Sequence, residues 1–348
     1  MAKISDIDNN FEVKSNFNKE NICWINALSS PVSLFGIFHD GERYKRMDTD
    51  VAKSVSDGVA ALHTNTSGGR ITFETDSPYV AISVRGGFCH MPHMAFTGSA
   101  GFDLMIWDKG CFNHFATFVP PVDNTSEYTS IIEFPDRKKR KILIHFPLYS
   151  DVYELNLGFD GSSVINAYNP YDGKPPVVYY GSSITQGGCA SRPANNYPAI
   201  VSAKTLTDFI CLGFSGNAHG EDEMREYIAS LPMSAFVLDY DHNDCDNPER
   251  MRKTHPALYE RVRETHSDIP IIIMTEPYSY RREESRKANF AVIEETYLKA
   301  KQRGDNVYFI DGHKMFGGKY KTCGTVDGCH PNDFGFVKMA EAVLKCLK

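Results

Sequence analysis

Residues 177–193, VVYYGSSITQGGCASRP, pass from an apolar, β-branched run straight into serines, a threonine and glycines. The run reads as a strand buried on both faces, and a hydroxyl-rich turn at its end belongs to a sheet edge where polar groups are delivered. The same grammar repeats downstream. Short apolar runs FICLGF (209–214), AFVLDYD (235–241), IPIIIMT (269–275) and VYFID (307–311) alternate with helical patterns. The helical patterns are NYPAIVSAKTL (196–206), EDEMREYIASL (221–231), PERMRKTHPALYERVRETH (248–266), RREESRKANFAVIEETYLKAKQRG (281–304) and DFGFVKMAEAVLKCL (333–347). Five strands separated by helices predict βαβ units, hence an α/β domain with a five-stranded parallel sheet between two helical layers.

Upstream, the period changes. GRITFETDSPYVAISVRGG (69–87), GFDLMIWDKGCFNHFATFVPP (101–121) and the segment 128–163 show alternation and short runs punctuated by Gly and Pro. This half predicts an all-β antiparallel sandwich, jelly-roll-like, over 1–168. INAYNPYDGKPP marks the change, so 169–176 is the linker and 177–348 the α/β domain. RKKRK (137–141), between two strand patterns, reads as a solvated hairpin.

Composition bounds the function. The net charge of −7, from 37 basic and 44 acidic residues, argues against a nucleic-acid partner or an anionic membrane surface. The opening, MAKISDIDNNFEVKSNFNKE, lacks the apolar core of a secretory signal, and no apolar run reaches the length of a membrane span. Nine scattered cysteines without a CxxC pair point to reduced thiols, so the expectation is a cytoplasmic protein.

Chemistry-bearing residues gather at the predicted strand ends: Ser182, Ser183 and Thr185 after the first, GFSGNAHG after the second, DHND after the third, and TVDGCHPND after the fifth. Acyl transfer needs such a set, because a hydroxyl becomes nucleophilic only beside a base, the base works best when oriented, and the oxyanion needs donors. Asp327 and His330, three apart in a turn, can present a carboxylate and an imidazole on one side of a tight loop. Asn332 or Asp333 would cap the helix that follows.

These blocks resemble those of the SGNH (GDSL-type) hydrolases: GSSIT for block I, the glycine of GFSGN for block II, DHND for block III and DGCH for block V. The longer strings GSSITQGGCASRP, LGFSGN and VDGCHPND are similar to the branch in which a β-sandwich precedes the hydrolase domain. The resemblance implies a flavodoxin-like three-layer fold and a cofactor-free, metal-free esterase. It implies Ser183 as nucleophile, His330 as general base and acid, and Asp327 as its orienting carboxylate. It implies an oxyanion hole from the N–H groups of Ser183 and Gly216 and the side-chain amide of Asn243. The chain departs from the family pattern at Ser182, where an aspartate is usual, and at Asp241, where a glycine is usual.

Other residues have plainer readings. Arg192 is a candidate for gripping substrate, against a surface or interdomain salt bridge, and Asp241 could line or charge the pocket. Cys89, His90 and His93 in CHMPH have the types of zinc ligands but no matching second pair, and their loop could instead reach over the active site. His219, Glu221, His242 and Asp244 read as structural or pocket-lining, and Cys189 lacks a paired base. A phosphate-cradling reading of the first turn leaves VDGCHPND unexplained. The expected function is therefore hydrolysis of a short, acetyl ester on a carbohydrate or related small molecule. The alternatives are a lipid or thioester acylhydrolase, or an inactive carbohydrate-binding protein.

Overall fold

A computed structural model describes residues 17–122, 126–277, 283–316 and 322–347. Most of the polar opening segment therefore lies outside the described residues. Two antiparallel sheets build the first half. Ile22–Asn26, Asp151–Asp160, Tyr79–Gly87 and Glu127–Glu133 form one in that spatial order. Ile165–Asn166, Arg70–Thr75, Arg140–His145, Phe102–Asp108 and Cys111–Phe118 form the other, with Ser33–Phe35 also paired to Arg70–Thr75. Alternation turns Val80, Ile82, Val84, Leu155 and Leu157 of the first sheet onto Ile71, Phe73, Leu104, Ile142 and Ile144 of the second, and this is the sandwich core.

Two expectations for this half are corrected. It is not all β: α1 (Thr49–Val55) and α2 (Asp57–Leu62) interrupt it, and α3 (Phe96–Ser99) is a single turn. Asp48 caps α1 by accepting the N–H groups of Asp50 and Val51, and Ser56 caps α2 by accepting that of Val59. Each runs about two turns or less, too short for a 3.6-residue stripe to stand out from strand-rich surroundings. The basic run is no hairpin either. Its flanking strands belong to different sheets, so it crosses between them. Arg140 is buried, with its guanidinium 4.3 Å from the centre of the Phe134 ring, and Arg137 donates to Ser162.

The second half holds five parallel strands, β1 (Val177–Gly181), β2 (Phe209–Gly213), β3 (Ala235–Asp239), β4 (Ile271–Met274) and β5 (Val307–Ile310), in the order β2-β1-β3-β4-β5. This is the flavodoxin-like order, which leaves a crevice where the winding direction reverses at β1. Helices α4 (Ser183–Gln186), α5 (Tyr197–Thr205), α6 (Asp222–Ser230), α7 (Pro248–Thr265), α8 (Glu283–Arg303) and α9 (Asp333–Cys346) complete the half. The period-2 geometry of β1 sends Val178 and Tyr180 to a core with Met224, Leu258 and Ile293, and Val177 and Tyr179 to a core with Val201, Met339 and Val343. The result is three layers. Among the described residues no helix is long and apolar enough to cross a membrane.

The two halves are not independent. Ala52 of α1 and Val59 of α2 share the first of those cores with α6. Arg46, fully buried, donates to the carbonyls of Cys211 and Gly213 at the end of β2 and to that of Leu62. Buried Arg70 pairs with Asp208, at the entrance to β2, and donates to the Tyr171 hydroxyl at 2.7 Å. Both cations therefore fasten the sandwich half to β2, whose far end carries block II.

Candidate active site

Register brings the site together. Gly181 pairs with Gly213 on one side and Asp239 on the other, so the loops after β1, β2 and β3 leave the sheet at one level. A Cβ at Gly213 would lie 2.1 Å from the Gln186 nitrogen, which is why glycine ends β2 beside the turn of α4. Ser182 stands at the N-cap, and its Oγ accepts the Ile184 N–H at 3.2 Å. Its backbone N–H is held by the Asp239 carbonyl at 3.1 Å. The serine at the usual aspartate position thus braces the turn as a cap, and the following residue, Ser183, opens the helix. At that position the Ser183 N–H has no helical partner, and none of the described groups accepts it.

Ser183 Oγ lies 2.9 Å from His330 Nε2, and His330 Nδ1 lies 2.8 Å from Asp327 Oδ2. The other Asp327 oxygen accepts the N–H groups of Cys329 at 3.0 Å and His330 at 2.8 Å, an Asx turn that sets the imidazole against its own carboxylate. Gly328, at φ +83°, and the Val326 N–H to His330 carbonyl bond close that turn. Burial works to raise the Asp327 carboxyl, but its three hydrogen bonds and the His330 charge outweigh it and hold the group at about 2. Burial likewise works to lower His330, and the Cys329 and Asp327 side chains overcome it, leaving the imidazole above its ordinary value. The hydroxyl proton has a base within reach, and that base has a fixed tautomer.

Asn243 and Gly216 meet, though in a different arrangement from the expected one. Gly216 donates its N–H to Asn243 Oδ1 at 3.1 Å, and Asn243 Nδ2 donates to the carbonyls of Phe214 and Ala218, both at 3.1 Å. Asn243 thereby ties the turn after β3 to the loop after β2. Arg192 and Asp241 each have a partner away from the Ser183, His330 and Asp327 chain. Arg192 Nη1 is 2.7 Å from Asp103 Oδ2, in the sandwich half. Asp241 is 4% exposed and accepts the Glu276 N–H at 3.0 Å; burial, then the Glu276 charge, push its carboxyl up to about 7.

The remaining candidates have structural partners. His219 meets Asp244 at 3.0 Å, and Glu221 accepts from the Tyr180 hydroxyl at 3.3 Å. Cys189, with its thiol pushed up to about 12 by burial and the nearby Asp327 and Cys329 charges, donates to the His93 carbonyl. Asn332 caps α9, while Asp333 accepts from the Ser191 N–H, the Ser191 hydroxyl and Asn195, joining block V to the loop that follows the nucleophile turn. Cys89, His90 and His93 do not converge. Cys89 donates its N–H to Ser150, His90 packs on Phe96, and His93 alone reaches the site, its ring 5.6 Å from that of His330.

Sequence reasoning missed one contact set. Cys329 Sγ lies 2.8 Å from His242 Nε2, and His242 Nδ1 lies 2.7 Å from Glu276 Oε2. The only sequence cue is adjacency, Cys329 to His330 and His242 to Asn243.

The sheet, its order and these blocks define an ester-bond hydrolase of the SGNH type. The chain belongs to the GDSL-like lipase/acylhydrolase family, whose model matches residues 174–348, and a model of the N-terminus of SGNH-hydrolase-type esterases matches residues 22–165. Among solved structures, a GDSL-like lipase from Bacteroides ovatus ATCC 8483 is 29% identical over 94% of this chain and 98% of its own, with a TM-score of 0.82. The salicylyl-acyltransferase SsfX3 from a tetracycline biosynthetic pathway is 18% identical over 95% and 98%, with a TM-score of 0.79. An acetyl xylan esterase from the rumen bacterium Butyrivibrio proteoclasticus is 12% identical over 93% and 98%, with a TM-score of 0.58. The last two likenesses are of fold. No curated protein matches the chain.

Proposed function

We propose that the protein is a serine esterase that removes a short acyl group, acetyl, from a carbohydrate or a related small ester. The observation that carries this reading is the unbroken chain from Ser183 Oγ through His330 to Asp327, with links of 2.9 and 2.8 Å. Ser183 Oγ attacks the ester carbonyl as its proton passes to His330 Nε2, and Asp327 stabilises the imidazolium. The oxyanion forms against the Ser183 N–H. Being a stronger acceptor than the Asn243 amide oxygen, it draws the Gly216 N–H from that oxygen, and the Asn243 amide joins it. His330 then protonates the departing alkoxide, leaving an acyl ester on Ser183. Water, deprotonated by the same imidazole, attacks that ester and releases the acid. No step needs a cofactor.

The acetyl and carbohydrate parts rest on the likeness to the acetyl xylan esterase and on the sandwich beside the hydrolase half, a fold-level association. Replacing Ser183 by Ala should lower kcat on p-nitrophenyl acetate by about 10⁴-fold or more with unchanged thermal unfolding; full retention overturns the assignment. A deacetylation screen on acetylated mono- and oligosaccharides, with that variant as control, tests the substrate class. A rise in kcat/KM toward long acyl chains would favour the lipid or thioester reading instead.

A further inference from the structure

Cys329 sits in a second relay of nucleophile, imidazole and carboxylate, assembled from three strand ends. His242 comes from the turn after β3, Glu276 from the end of β4, and Cys329 from the loop ahead of α9. The contacts of 2.8 Å from thiol to imidazole and 2.7 Å from imidazole to carboxylate leave no other partner for either ring nitrogen. Cys245 donates its thiol to the His242 carbonyl, and Asp241 holds the Glu276 N–H, so the relay is braced from behind. Glu276 is buried, while Cys329 is only half-buried and can be reached from solvent.

We propose that Cys329 is a reactive thiolate, a modification site for peroxides and soft electrophiles, and that its oxidation switches the esterase off. The modification stands on this relay alone; the loss of activity rests also on His330 being the base of the proposed reaction. The charges support it. Burial opposes a charged His242, but the hydrogen bonds to Cys329 and Glu276 push it up to about 11. Burial opposes the thiolate too, yet the hydrogen bond from His242, then its charge and that of His330 when protonated, bring the Cys329 thiol down to about 7. Asp327 and Cys189 also face this thiol, the first as an anion and the second with its proton kept.

With hydrogen peroxide as oxidant, the thiolate lone pair attacks one oxygen, a sulfur–oxygen bond forms and the O–O bond breaks. The departing hydroxide takes a proton and leaves as water, so sulfur loses two electrons and the peroxide gains them. A thiol condenses with the sulfenic acid, releasing water and leaving a mixed disulfide, and a second thiol attacks that disulfide and restores Cys329. The added oxygen must occupy space filled by His242 and His330. It strains the turn in which the Cys329 N–H holds Asp327 Oδ1, and the base is displaced with it.

Limited iodoacetamide labelling at pH 7 with peptide mapping reads the site directly, with exposed Cys23 and Cys323 as internal references. Cys329 should be alkylated about five-fold faster than either, the larger thiolate fraction being partly offset by lower nucleophilicity. His242→Gln should bring it down to the reference rate, and Ser183→Ala should leave it as in the parent. Peroxide should then abolish p-nitrophenyl acetate hydrolysis in step with a dimedone adduct at Cys329, and dithiothreitol should restore it. Cys329→Ser should remove the peroxide sensitivity, measured as treated over untreated rate. Labelling of Cys329 no faster than Cys23, or full activity alongside the adduct, overturns the proposal. If His242→Gln does not fold, the ratio within the parent decides. Absence of activity before treatment would count against the proposed function, and the labelling ratio would still decide this one.

Discussion

Ser183, His330 and Asp327 form one hydrogen-bonded chain, Cys329, His242 and Glu276 form another, and the two imidazole rings stand 6.3 Å apart. In the first, carboxylate and imidazole are three residues apart in one turn, and the Asp327 side chain is 36% exposed. In the second they come from different strand ends, and the Glu276 side chain is 5% exposed. A hydroxyl keeps its proton until a substrate arrives, so His330 must be neutral to act as a base. A thiol is acidic enough to hand its proton over at rest, and a buried carboxylate fixes it on the imidazole. His242, pushed up to about 11, is therefore a standing counter-ion. In the proposed reading, similar geometry serves as a proton shuttle in one case and as a charge clamp in the other, and the acidity of the nucleophile decides which.

That contrast can be broken first at the shuttle. Asp327→Asn should lower kcat by about 10²- to 10⁴-fold with little change in KM, because the wrong tautomer faces Ser183; steady-state kinetics on p-nitrophenyl acetate measures it. Asn243→Ala should cost about 10²-fold in kcat through the oxyanion donors. It should also cost about 1–3 kcal/mol of stability, because its bonds to the 214–218 loop are lost, and thermal unfolding separates the two effects.

The pH profile sharpens the contrast at smaller scale. His330 lies above its ordinary 6.5 and must be neutral to accept the Ser183 proton, so kcat/KM should fall as pH drops through a value above 6.5. Both Cys329 and Asp327 raise that value, so Cys329→Ser should move the acid limb to lower pH, by about one unit or less. An unmoved limb would mean that the two relays are not electrostatically joined.

How much of this was legible in the sequence follows from how local each feature is. The five strands of the parallel sheet read clearly because each is a short apolar run ended by turn residues, and the Asp327 to His330 turn read clearly because its partners are three residues apart. Residues α1 and α2 contribute to the hydrolase core were hidden by helices too short to show a period. Arg192 could be read as a substrate clamp or a salt bridge, and only the position of Asp103, 89 residues earlier, separates the two. The second relay joins residues 34 and 87 positions apart, and no spacing rule reaches across that distance. Asn243 was visible only through family likeness, and its three bonds to the block II loop were not visible at all.

A fluorophosphonate probe tests the central claim most directly, since it reacts with the hydroxyl that a neighbouring imidazole activates and leaves the adduct in place. Peptide mapping should find one phosphonyl group per chain, on Ser183, with fluoride released, and labelling should nearly vanish in His330→Ala. An adduct on Ser182 or Cys329 in place of Ser183, or undiminished labelling of Ser183 without His330, would contradict the account.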